Sequence, residues 1–217
     1  MAQGSSPRSV DTCAARSPRT TAPRSLPVLP GAEHLRFRCT ACGDCCRTLR
    51  AAVTHHDLRR LSYGLGRPVA ALVEWLAPEA VDMTNEPGSF VELARGRRLM
   101  VLATAGGACH LLQSDGRCGA YAHRPRDCRL FPFHLERDED GGVRALERLP
   151  FDGCSEETGE PAALVDVERD DAERWSELAD YQARVAAWNR RARLRRRLRH
   201  PIGDGDAFLA FLGLGPR

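Results

Sequence analysis

The chain has 217 residues, a formal net charge of +3, 42% hydrophobic and 6% aromatic residues, which is room for one domain of moderate size with a lean core. All 32 basic residues are arginine, so a Schiff-base lysine and a phosphate-loop lysine are both excluded. The small net charge argues against a nucleic-acid partner. No run approaches the ~18 apolar residues that suggest a membrane span, and the N-terminus lacks the apolar core of a secretory signal. The expected compartment is the cytoplasm, where thiols stay reduced and open to metal, and no membrane partner is expected.

Residues 1–33 are rich in Ser, Pro, Arg and Ala without a hydrophobic period, and read as a disordered leader that includes Cys13. Residues 34–157 read as a cysteine-cluster metal-binding domain, and residues 158–217 as a C-terminal helical extension. The centre of the reading is the run Phe-Arg-Cys-Thr-Ala-Cys-Gly-Asp-Cys-Cys-Arg at residues 37–47. Cys39, Cys42 and Cys45 repeat at two-residue gaps. Such a turn can set sulfurs roughly 3.7–3.8 Å apart, the spacing in a tetrahedral thiolate site. Gly43 can take positive φ and turn backbone N–H groups toward sulfur. Cys46 points away from Cys45, because adjacent side chains diverge in both helix and strand, so the two serve different edges of a cluster or different metals. Cys109, Cys118, Cys128 and Cys154 complete a set of eight.

Thr54 followed by Asp57 predicts a helix start, carrying Leu58 and Leu61 inward and stopping near Gly64 or Gly66. His55 and His56 at that start read as solvent-facing rather than as ligands. Pro68 predicts a second helix through Val69, Leu72, Val73 and Leu76. Residues 89–104 read as a hairpin turning at 95–97. Residues 109–112 predict a short strand, 114–116 a turn and 117–121 its return. Pro125 opens a short helix holding Cys128, and Pro132 ends it. A second hairpin runs through 133–135 and 143–149. From about 166 to 197, Trp175, Leu178, Tyr181, Val185, Trp188 and Ala192 make one apolar stripe of a long helix. A short helix over 206–212 docks back through Phe208, Leu209, Phe211 and Leu212. The fold class expected is α+β: a small cysteine-rich, metal-organised domain of short β-hairpins and helices, packed by a long C-terminal helix.

Three thiols at two-residue gaps suit an iron–sulfur cluster, as in the ferredoxin run, and point to the [4Fe–4S] type. Zinc in two closed tetrathiolate sites uses the same eight ligands. The choice stays open, with iron–sulfur favoured. Arg38, Arg47, Arg117 and Arg129 adjoin cysteines, with Arg124 and Arg126 close by, and such cations can compensate a polyanionic centre. Arg124 and Arg129 are also candidates to clamp an anionic cofactor or substrate bidentately. His110, His123 and His134 are the best non-cysteine candidates, in supporting roles. No catalytic constellation has persuasive spacing, so the chain is not assigned to an enzyme class.

The pattern Phe37-x-Cys39-x-x-Cys42-Gly43-x-Cys45-Cys46, then Cys109-His-Leu-Leu, then Cys118-x-x-Tyr121-x-x-Arg124-Pro125-x-x-Cys128-Arg129-x-Phe131-Pro132, resembles the YkgJ-type cysteine-cluster family over residues 35–155. That family is described as zinc- or iron-chelating. The resemblance implies that Cys39, Cys42, Cys45, Cys46, Cys109, Cys118 and Cys128 are ligands, with Cys154 as the late cysteine members often carry. His110 and Ala120 depart mildly from the pattern. Some flagellin lysine N-methylases look similar across the same motif. Three functions follow: a metal-binding module with a structural or redox role, an iron–sulfur enzyme that modifies a partner protein, or a zinc-dependent interaction module. The first is expected.

Overall fold

The computed structural model describes residues 25–27, 34–36, 40–81, 86–137, 143–148 and 161–215. In chain order, strands β1 (Ser25–Pro27) and β2 (His34–Arg36) precede helices α1 (Asp44–Thr48) and α2 (His55–Leu65). Strands β3 (Val73–Leu76), β4 (Val91–Leu93), β5 (Gly96–Leu102), β6 (Thr104–Ala105) and β7 (Ala108–Cys109) lead to α3 (Arg126–Leu130). Then come β8 (Phe133–Arg137), β9 (Val143–Arg148), β10 (Pro161–Ala163), the long helix α4 (Leu164–Arg197) and α5 (Gly205–Phe211). The fold is α+β, with short antiparallel strands and a long C-terminal helix packed on the sheet. No helix among the described residues is long and apolar enough to cross a membrane.

Helix α2 starts where its residues dictate. The Thr54 side chain accepts from the Asp57 amide, and the Asp57 carboxylate accepts from the Thr54 amide at 2.8 Å, a reciprocal capping box. The helix stops at Gly66, which takes the left-handed conformation at φ 61°. The second helix expected after Pro68 does not form. A single 3-10 turn, Val69–Ala71, is followed by β3, which pairs antiparallel with β5 from Val73↔Leu102 to Leu76↔Leu99. The apolar gaps mimic a helical period, but a β-branched and aromatic segment beside an open strand gains more from the ladder.

Strand β5 is central in the order β3-β5-β4. It buries both faces: Met100 and Leu102 join the main core with Leu58 and Leu61, while Leu99 and Val101 pack with Phe90. Helix α4 lays Leu178, Tyr181 and Val185 into that main core, and α5 adds Phe208, Leu209 and Leu212. Trp188 donates through Nε1 to the Glu92 carbonyl (2.8 Å), and Asn189 bridges the Phe90 carbonyl and the Glu92 amide, so α4 is keyed to β4. Trp175, expected in the buried stripe, is 44% exposed with the Arg174 guanidinium over its ring. A second cluster of Leu130, Leu135, Leu146 and Val167 lies under the β8–β9 hairpin. Strand β1, within the segment read as leader, extends that hairpin in the order β1-β9-β8, and β2 pairs with β10.

Candidate metal centre

Three pieces of backbone bring thiols together. The first is the loop 40–43 with α1. Gly43, at φ 74°, caps the helix, and a Cβ there would lie 2.7 Å from Arg47 Nη1 and 3.1 Å from Leu112. Its carbonyl accepts from the amides of Cys46 (3.0 Å) and Arg47 (3.1 Å), a tight turn that presents Cys45 and Cys46 in succession.

The second piece is 104–118. The strand expected over 109–112 is shorter: β7 pairs back on β6, with Cys109 opposite Thr104, and only a Leu112↔Cys118 bridge joins the return segment. The turn at 114–116 holds as expected, with Asp115 Oδ1 accepting from the Arg117 amide. Gly116, at φ 83°, lies against the first loop so closely that a Cβ would sit 2.0 Å from the Ala41 carbonyl oxygen. Only glycine allows that approach, and it holds the Cys42 loop against the Cys118 turn.

The third piece is α3, which carries Cys128. Its first amide, on Arg126, donates to Asp57 Oδ1 of α2 (3.1 Å). The Arg126 guanidinium meets Asp170 (3.3 Å), Glu173 and Glu177 (3.3 Å) of α4. Arg174 of α4 reaches back to Asp127 and to Glu86 (2.7 Å). The Cys128 helix is thus held to the long helix by charge as well as by packing.

Cys42, Cys45, Cys46, Cys109, Cys118 and Cys128 all line one cavity of about 240 Å³, walled by Leu49, Leu102, Leu111 and Phe131. All six thiols are free. Contrary to the divergence expected of adjacent side chains, the Cys45 and Cys46 sulfurs lie 3.9 Å apart, and Cys46 also interacts with Cys109 of a different segment. Cys45 is pulled down to about 7, chiefly by the Cys46 thiol against the opposing effect of burial, with backbone amides and Arg124 assisting. Cys109 is likewise brought to about 7 by Cys46, against burial, with Leu111 backbone and Arg50 helping. Cys46 is pushed up by Cys109, then by Cys45 and by burial. Burial pushes Cys118 up and Cys128 well up. This donor set fits a thiophilic metal: six soft sulfurs in a largely apolar cavity, where thiolates need a cation to be tolerated, while Asp127, the one carboxylate among the lining residues, is engaged by Arg174. Metal binding here displaces protons, so affinity rises with pH.

Cys39 and Cys154, both expected ligands, lie outside the described residues. Adjacency of arginine to cysteine in the sequence translates only partly into contact. Arg124 lines the cavity, with its guanidinium 3.7 Å over the Tyr121 ring and its Nε donating to the Tyr121 carbonyl. Arg129, its expected partner in an anion clamp, faces Asp170 at 3.5 Å and is not among the cavity residues. Arg47 donates to the Cys42 carbonyl, and the Arg117 side chain is 76% exposed beside Asp115. Arg38 lies outside the described residues. The sequence reading missed Arg50, which lines the cavity and lowers Cys109. Its signal was a basic residue four positions beyond Cys46. His110 donates through Nδ1 to the Ala103 carbonyl (2.8 Å). His55, expected to face solvent, is 0% exposed, and His56 is half-buried.

The profile of the CxxCxxCC family, described as "Putative zinc- or iron-chelating domain", matches residues 38–150, just over half of the chain. The chain belongs to the CxxCxxCC family. The matched span takes in the Cys39–Cys46 run, Cys109, Cys118 and Cys128, and stops short of Cys154 and α4. Comparison with curated proteins and with solved structures finds no match. Membership of the CxxCxxCC family supports metal chelation by a cysteine cluster.

Proposed function

We propose that this chain holds an iron–sulfur cluster in the cysteine cavity, with Cys42, Cys45, Cys46, Cys109, Cys118 and Cys128 as the ligand pool and Cys39 and Cys154 completing it, in a structural or redox role. One observation carries the choice of cluster over single zinc ions. The six thiols share a cavity, yet among the described residues no three of their sulfurs lie within 4.8 Å of one another. A mononuclear tetrathiolate needs all four at about 3.7–3.8 Å. Thiolates that each bind a different iron of one cluster stand farther apart, around a space of the kind seen here.

When bound, such a cluster supplies one-electron transfer or a covalent cross-link between segments. The chain's own residues do the rest. Cys45 and Cys109, both lowered toward ionisation, offer thiolates from α1 and β7, and Cys46 joins them as its proton leaves. Leu102, Leu111 and Phe131 give the cavity apolar walls, and Arg124 and Arg50 set positive charge at the cavity edge. These are the levers that tune thiolate centres.

Anaerobic purification of the untreated chain tests the reading. A brown protein with iron and acid-labile sulfide in stoichiometric amounts is expected. A colourless protein with stoichiometric zinc and no sulfide would replace the cluster by zinc.

A further inference from the structure

We propose that His55, His56 and Asp180 form a second metal site, separate from the thiols, that takes one divalent first-row transition ion such as zinc or ferrous iron. The two histidines open α2, and Asp180 lies far along the chain on α4. The Nε2 atoms of His55 and His56 stand 3.1 and 2.9 Å from the same Asp180 Oδ2. One donor atom from each residue falls within 4.8 Å of the others, the only such trio of metal-ligating side chains among the described residues. Two cis ligands at ~2.1 Å from an octahedral ion are about 3.0 Å apart, so these separations match an edge of a coordination shell.

A second observation points the same way. His55 is 0% exposed, and neither of its ring nitrogens has a hydrogen-bond partner. Its Nε2 is close to Oδ2 but out of line for a hydrogen bond, whereas His56 Nε2 is aligned with that oxygen at 2.9 Å. A buried imidazole without a partner is costly. An ion between the two rings and the carboxylate would give Nε2 of His55 its partner.

The ligand type selects the ion. Two imidazoles and one carboxylate suit zinc, iron, nickel or manganese, while calcium and magnesium prefer all-oxygen shells. The site is anchored on one side and open on the other. Thr54 caps the helix beneath the histidines, and the Tyr181 ring packs 6.2 Å from His55 between centroids. The side chains of His56 and Asp180 remain 32% and 43% exposed. Arg184 Nε sits astride the carboxylate, 3.3 Å from Oδ1 and donating to Oδ2 at 3.4 Å, so an ion bound here would compete with it for Oδ2. An incomplete shell facing water leaves positions for solvent or an exchanging ligand, in contrast to the apolar thiol cavity.

The test is zinc titration of the full chain, with its thiol centre already loaded, against a competing chelator, with metals counted by mass spectrometry. Wild type, His56→Ala and Asp180→Asn are compared. Both changes fall at partly exposed positions, and asparagine keeps the size of Asp180 and one acceptor oxygen while removing its charge. Wild type should take one zinc per chain beyond the thiol complement and gain Tm as zinc is added. Each variant should lose at least about 100-fold in zinc affinity and lose the Tm response, with thiol-bound metal unchanged. No additional ion in wild type, or equal affinity and equal Tm gain in both variants, would overturn the site.

Discussion

Cys46→Ser protein should emerge from purification with its metal depleted and its metal-linked stability gone. Cys46 is the sulfur that stands between Cys45 and Cys109, and so between α1 and β7. A hydroxyl is a hard, weakly acidic ligand that does not replace a thiolate on a soft metal. Structural thiolate sites contribute on the order of 10–16 kcal/mol of apparent binding energy. One ligand in four is then worth about 2.5–4 kcal/mol, roughly 70- to 900-fold in metal affinity. The metal-free protein should be nearly indifferent to the change, because a serine in a half-buried position loses only weak S–H contacts. Metal content and urea unfolding, each with and without metal, check both halves. Cys13→Ser, in the segment read as leader, serves as a control and should change neither. A Cys46→Ser chain that keeps full metal and stability would remove Cys46 from the ligand set.

Arg126→Met should cost about 3 kcal/mol at neutral pH. The Arg126 side chain is 15% exposed and faces Asp170 and Glu177, whose side chains are 19% and 15% exposed. Methionine keeps much of the stem's packing but leaves those carboxylates without their shared cation, and breaking a buried pair from one side costs about 3–5 kcal/mol. The low end applies because Glu173, the third partner, is 44% exposed and Arg60 still reaches Glu177. The pH dependence has a definite sign. Burial pushes the Glu177 carboxyl up, but Arg60 and Arg126 outweigh it, so its folded pKa is lowered. Its contribution is therefore present above the ordinary carboxylate range and is lost as pH falls through the folded value. The gap between wild type and Arg126→Met should be widest near pH 7 and shrink below about pH 4.5. Denaturant unfolding across that range, with metal-loaded protein, reads it out. A gap that stays constant on acidification would assign the loss to packing instead.

Much of this was legible in the sequence because local chemistry decided it. Thr54 and Asp57 specify a capping box whatever surrounds them, and Gly66 ends that helix for want of a Cβ. The hairpin over β4 and β5 and the stripe of Leu178, Tyr181 and Val185 follow from period alone. The stretch after Pro68 misled because its apolar gaps suit a helix, while the partner that makes it a strand, β5, lies over twenty residues away. His55 misled for the same reason. A histidine at a helix start reads as exposed until α4, more than a hundred residues later, covers it. For the thiols, spacing identified the donors, but the contact between Gly116 and Ala41 that brings Cys118 toward Cys42 has no local signature. Nor does the division of the arginines, in which Arg124 and Arg50 face the cavity while Arg126 and Arg129 turn to the carboxylates of α4.

X-ray absorption at the metal edge tests the central claim most directly, because it counts the atoms around the ion. It is best done on metal-loaded Asp180→Asn protein, so that only the thiol centre contributes. The spectrum should show an all-sulfur first shell and a short iron–iron scatter. A shell of nitrogen and oxygen, with the cysteines recovered as disulfides, would contradict convergence of the six thiols on one inorganic centre.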